Sequence, residues 1–219
     1  EHMSFLCSRF FADGRYIRVD GKPFFAVYRP DLFPDIRRTT DTWRKTALRL
    51  GTGELYLAYM QAFNLREDPA TMGFDAAIDF QPDFYSSVPT EGTAIARWAH
   101  RFLGRRSVYV DNQVRDYARY VAYITRRPAP PYKWFPAVTP MWDNTARRKT
   151  GATIFRNSTP RLYEDWLRHV LKQFRAPSAE ENFIFINAWN EWAEGNHLEP
   201  CAKWGRAYLE ATKRALSHE

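Results

Sequence analysis

Short apolar runs alternate with amphipathic stretches along this chain, and that alternation limits its fold more than any other feature. The first run is 24–28, introduced by the turn Asp20-Gly21-Lys22-Pro23. A helix is expected over 40–50, with Trp43, Ala47 and Leu50 on its apolar face, Thr39 or Thr40 as its cap and Gly51 as its stop. Further strands are expected at 55–59, within 74–80 (stopped by Pro82), at 135–139 and at 183–188. Val114, Tyr117, Ala118, Val121 and Ile124 form a helical stripe that Pro128 terminates. Thr159-Pro160 opens another helix with Leu162, Trp166, Val170 and Phe174 inward. The last helix is expected over 203–216, with Trp204, Ala207, Tyr208, Ala211 and Ala215 on one face. Residues 81–112 show no clean period and read as a long loop or small subdomain, which in a compact domain suits an active-site wall. Strands alternating with helices predict an α/β fold with a parallel sheet. Five strands fit an open sheet, or a barrel whose first strands are not in this chain. Met3, Leu6, Arg9 and Phe10 resemble the tail of a helix already under way, which favours the barrel.

At 219 residues and 45% apolar content, one core is expected. A net charge of +7 suits an anionic partner such as nucleic acid, a membrane surface or a sugar nucleotide. The basic residues, however, are scattered pairs (Arg37-Arg38, Arg105-Arg106, Arg126-Arg127) rather than one stripe, so no nucleic-acid partner is expected. Cys7 and Cys201 make no disulfide framework and fit a reducing, cytoplasmic setting. No run of 18 apolar residues or signal-peptide pattern is present, so no membrane span is expected.

The chemistry concentrates in Asn187-Ala188-Trp189-Asn190-Glu191-Trp192-Ala193-Glu194-Gly195-Asn196-His197-Leu198-Glu199-Pro200, directly after the apolar run Phe183-Ile184-Phe185-Ile186. The carboxyl end of a buried strand is where barrel and open α/β enzymes carry their chemistry. Glu191 and Glu194, three apart, can face one pocket if the segment turns helically. Paired carboxylates serve glycosidic bonds as acid and as base or nucleophile. Crowding against Trp189 and Trp192 raises a carboxyl pKa, as an acid working near neutrality requires. Asn190, His197 and Glu199 continue the cluster as candidate substrate contacts. A second segment, Trp142-Asp143-Asn144, also follows a strand and is expected on the same rim, with Trp142 to stack on a sugar and Asp143 and Asn144 to bind hydroxyls. The basic run Arg147-Arg148-Lys149 suits a phosphate, a carboxylate or plain solvation. Glu194-x-x-His197 matches a metal-binding pair, but the second pair such a site needs is missing, so neither metal nor cofactor is expected. No G-x-G-x-x-G, P-loop, Asp-x-Asp or H-E-x-x-H occurs.

Asn187 to Gly195, then Leu198-Glu199-Pro200 and Trp204-Gly205-Arg206-Ala207-Tyr208-Leu209-Glu210-Ala211, resemble the carboxyl end of the WbsX-like polysaccharide-biosynthesis family, which is similar to glycoside hydrolase family 99, the endo-acting α-mannosidases. Tyr16 to Pro23, Val27-Tyr28-Arg29-Pro30 and Trp142-Asp143-Asn144-Thr145 fit as well. The resemblance implies a (β/α)8 TIM barrel over 1–219 as one domain, with about the first three strands absent. It implies Glu191 as a base on the sugar's own 2-hydroxyl and Glu194 as the acid on the leaving oxygen. Ala193 stands where those hydrolases carry a histidine. The implied substrate is a polysaccharide or oligosaccharide, with a sugar nucleotide as the donor if the reaction is transfer. A glycan-binding module without turnover and an inert barrel fragment are the other readings.

Overall fold

A computed structural model describes residues 1–104 and 108–217; the Arg105-Arg106 pair lies outside the described residues. The strands are β1 (Arg18–Val19), β2 (Lys22–Val27), β3 (Tyr56–Gln61), β4 (Ala76–Asp79), β5 (Gln113–Asp116), β6 (Trp134–Phe135), β7 (Ala137–Val138), β8 (Thr153–Arg156), β9 (Phe185–Ile186), β10 (Asn190–Glu191) and β11 (Asn196–His197). The helices are α1 (His2–Leu6), α2 (Ile36–Arg49), α3 (Thr93–Leu103), α4 (Val108–Asp111), α5 (Tyr117–Ile124), α6 (Pro160–Gln173) and α7 (Ala207–Leu216). They fall into two compact units, one of Glu1–Phe80, Ala129–Pro136 and Arg175–Phe185, the other of Gln81–Pro128, Ala137–Phe174 and Ile186–Glu219.

In the first unit β2, β3, β4 and β6 are successive parallel neighbours, and β1 pairs antiparallel with β2. The parallel sheet expected from the alternation is present. Parallel neighbours need a crossover, and α2 supplies it between β2 and β3. The edge strand β1 was not anticipated. Asp20 and Gly21, at φ 49° and 73°, form the two-residue turn that folds it onto β2. α2 starts four residues earlier than expected, because Asp35 caps it by accepting from the Arg38 amide at 2.8 Å. Thr39 and Thr40 lie inside the helix, their hydroxyls donating to the Asp35 and Arg37 carbonyls. Trp43 and Ala47 are buried, but Leu50 is exposed, since the chain leaves the helix at Gly51 (φ 76°).

Alternate strand residues serve opposite faces of this sheet. Phe24 stacks on Tyr56 with centroids 5.4 Å apart, and Phe135 and Phe183 join them. Their neighbours Phe25 and Leu57 pack with Trp43 and Ala47 of α2. Both faces are apolar, as parallel strands require. The exceptions include Gln61 and Asp79, buried at the ends of β3 and β4, and Glu181, buried yet ionised. Burial pushes its carboxyl up, but the Lys133 ammonium and the Tyr56 hydroxyl (2.7 Å) outweigh it and hold it below the usual range. A depressed folded pKa contributes stability above the unfolded value that is lost as pH falls through the folded one. Lys133→Met is therefore expected to cost about 3 kcal/mol at neutral pH, the low end for an abandoned buried charge because Lys133 is 38% exposed. The gap to the parent should close in acid, and urea unfolding at both pH values measures it; an equal gap at both would mean that Glu181 is not the group left unpaired.

In the second unit β5 and β8 pair in parallel. Val114, assigned to a helix from its spacing, lies in β5. α5 begins only at Tyr117, where Asp116 accepts from the Arg119 amide. Strand β8 was not anticipated. The fourth expected strand is divided into β6 and β7 around Pro136, which has no N–H to continue a ladder. The fifth is reduced to β9, after which the Asn187-Ala188 peptide is cis. α6 is capped by Thr159 as expected, but buries Tyr163, Trp166 and Leu167, with Leu162 and Val170 half-buried beside them. α7 starts at Ala207 and buries Tyr208, Ala211 and Ala215. The stretch read as unpatterned, 81–112, contains α3 and α4. No described helix is long and apolar enough to cross a membrane.

Candidate functional site

After β9 the chain doubles back. β10 pairs antiparallel with β11, Asn190 opposite His197 and Glu191 opposite Asn196. A 3-10 turn, Trp192–Glu194, joins them, and Gly195 at φ 54° closes it. Glu191 thus precedes a tight helical turn that Glu194 completes.

Gly195 also determines what the turn rests on. A Cβ there would stand 2.8 Å from the Asp143 carbonyl oxygen. This close approach lets the Asp143 amide donate to the Glu194 carbonyl at 2.8 Å, and Arg147 forms an ion pair with the Glu194 carboxylate. The two polar segments that the sequence placed on one rim are therefore in contact. Of the basic run, Arg147 faces a carboxylate of its own chain.

The two glutamates sit in different surroundings. Glu191 is exposed, whereas the Glu194 side chain is 19% exposed. Burial raises the Glu194 carboxyl above its ordinary pKa; the Arg147 guanidinium opposes this and the Glu191 charge adds to it. Trp189 and Trp192 are about half exposed, and Asn190 is open to solvent. Trp192 is held from behind. His197 stacks on it at 3.8 Å with planes 16° apart, and its indole N–H donates to Glu199 Oε2 at 2.6 Å. Burial lowers the His197 pKa, so the ring is neutral against the indole. His197 and Glu199 therefore orient an aromatic face rather than present their own.

Trp142 and Asn144 depart from expectation. Trp142 is buried edge-on against Phe84 at 5.0 Å and has no open face for a sugar. Asn144 is also buried, its Oδ1 accepting from the Thr153 amide at 2.9 Å at the start of β8. Asp143 Oδ1 is taken by the amide and hydroxyl of Thr145. This segment is a support for Glu194. Two further supports went unnoticed in the sequence. Asn196, fully buried, accepts from the Thr139 hydroxyl at 3.0 Å, and Asn187 donates to the Gln81 carbonyl at 2.7 Å. Their place on either side of the glutamates was the available signal. Among the described residues no three His, Cys, Asp or Glu side chains could share a metal ion.

The sequence pattern of the family described as Glycosyltransferase WbsX matches residues 1–212. WxcX, an uncharacterized protein of Xanthomonas campestris pv. campestris, is 40% identical over 213 residues in each of two strains. That match takes in 96% of this chain, which spans 29% of the length of these relatives. Among solved structures, a glycoside hydrolase-like protein superposes with a TM-score of 0.64 at 15% identity, over 98% of this chain and 59% of that one. The GH99 endo-α-mannosidase from Bacteroides thetaiotaomicron, in complex with bis-tris-propane, gives 0.58 at 15% identity, over 98% and 62%. At these identities the likeness is one of fold, the (β/α)8 barrel type, of which this chain carries a part. Taken with the match over residues 1–212, this places the chain in the WbsX glycosyltransferase family, a carbohydrate-active group.

Proposed function

We propose that this chain cleaves glycosidic bonds within a polysaccharide or oligosaccharide, with Glu194 as general acid and Glu191 as base. The observation that carries this is the contrast between the carboxylates: Glu194 is withdrawn and its pKa raised by burial, while Glu191 is open one turn away beside two half-exposed indoles. Carboxyl groups divided in this way are the usual means of assigning acid and base. Trp189 and Trp192 supply flat faces for a pyranose, and Asn190 supplies hydrogen bonds to its hydroxyls. Glu191 takes the proton of the sugar 2-hydroxyl as that oxygen displaces the leaving oxygen at the anomeric carbon. Glu194 protonates the leaving oxygen. Water then opens the anhydro-sugar with the two roles reversed. Residues 1–219 as one barrel domain and a cytoplasmic setting in polysaccharide assembly belong to the same proposal.

The family's description supports a second reading, transfer from a sugar nucleotide. Incubation with α-mannans and bacterial surface polysaccharides separates the two. New reducing ends that depend on Glu194 support cleavage; their absence, with incorporation from a labelled sugar nucleotide, supports transfer.

Arg147 sets the upper pH limit of the cleavage reading. Its guanidinium favours the ionised form of Glu194, so Arg147→Met is expected to raise the acid's pKa further. The alkaline limb of the kcat/KM profile should move to higher pH, and an unmoved limb would remove Glu194 from the acid role.

A further inference from the structure

The face of α3 is apolar at Ile95, Trp98, Ala99, Phe102 and Leu103, the spacing of a single helical stripe. Such a stripe is ordinarily packed against a core, but here Ile95 is 78% exposed, Trp98 56%, Phe102 63% and Leu103 58%. The Trp98 and Phe102 rings lie 5.6 Å apart, so the exposed groups are contiguous. Large contiguous apolar patches on a folded surface mark interaction sites.

Charge identifies the partner. From Thr93 to Val110 the sequence carries four arginines (Arg97, Arg101, Arg105, Arg106) and His100, and no aspartate or glutamate. His100 and Arg101 are exposed on the turns that bear the stripe, with the Arg101 guanidinium 5.8 Å from the Phe102 ring centroid. A protein interface typically matches charges of both signs, whereas this stretch offers only one. Aromatic and leucine side chains on one face with basic residues beside them suit the boundary between headgroups and acyl chains. Eleven residues are far too few to span a bilayer, so the helix would lie in its plane.

We propose that α3 docks the protein on an anionic lipid surface, with Trp98, Phe102 and Leu103 entering the acyl boundary and Arg101 meeting lipid phosphates. This stands apart from the glycosidic site and survives if that reading fails. The test is flotation of the 219-residue chain with vesicles of phosphatidylcholine alone or mixed with phosphatidylglycerol. Flotation is expected with the mixed vesicles, weakening as salt is raised, with little on the neutral ones. The variant Trp98→Ser/Phe102→Ser, at exposed positions, should keep its circular dichroism spectrum and bind the mixed vesicles at least about tenfold more weakly, as removal of two interfacial rings predicts. No flotation of the parent, or equal flotation of the folded variant, overturns the proposal. Self-association that the same variant abolishes, without vesicle binding, would make this face a protein interface instead.

Discussion

Glu194→Gln is expected to lower turnover of a natural glycan by about 10²–10⁴-fold, the contribution of a positioned general acid. The substitution keeps the side chain's shape and leaves an oxygen for Arg147, so the hairpin should stay folded. What it removes is the proton. The loss should therefore depend on the leaving group. An aryl glycoside departs with little need of protonation and should suffer far less than a sugar–sugar bond. Parallel kcat/KM measurements on the two substrate types decide the matter. Equal losses on both would assign Glu194 to binding or folding, and no loss on either would remove it from the reaction.

Gly195→Ala is expected to be the most damaging small change in the site. Its φ of 54° is left-handed, and a Cβ there meets the Asp143 backbone oxygen at 2.8 Å. Strain and overlap together should cost about 2–4 kcal/mol, and backbone cannot rotate aside as a flexible side chain would. Relief requires the hairpin to lift from Asp143, which breaks the amide bond to the Glu194 carbonyl and carries the carboxyl out of its withdrawn place. Stability to urea and turnover should fall together. A variant within about 0.5 kcal/mol of the parent would show that the turn does not rest on Asp143 as described.

The sequence alone carried most of the layout but not the boundaries. Strand 55–59 was legible because its apolar run is buried on both faces, which gives an unbroken signal. Strands 24–28 and 74–80 carry most of the same signal, the one ending at the exposed Tyr28 and the other interrupted by Asp75 and Asp79. β1 and β8 were not: β1 is only two residues long, and β8 ends at an exposed arginine, Arg156. Val114 was read as helical because β5 passes into α5 without a loop, so two periods run together. The stripe of α3 is present in the letters but was missed, because 81–112 as a whole shows no clean period. In the candidate site, the cluster of glutamates and indoles was conspicuous, and its contact with the Asp143 segment followed from both segments ending strands. The burial of Trp142 and Asn144 was illegible, since a tryptophan or asparagine at a strand end looks the same whether it faces a ligand or its own backbone.

The stacking of His197 on Trp192 has a spectroscopic consequence. An imidazole held 3.8 Å above an indole, with the planes 16° apart, lies in the shielding region of the larger ring current. Its carbon-bound protons should resonate well upfield of ordinary histidines, giving each molecule in solution an internal reporter of whether the hairpin bearing the two glutamates is closed.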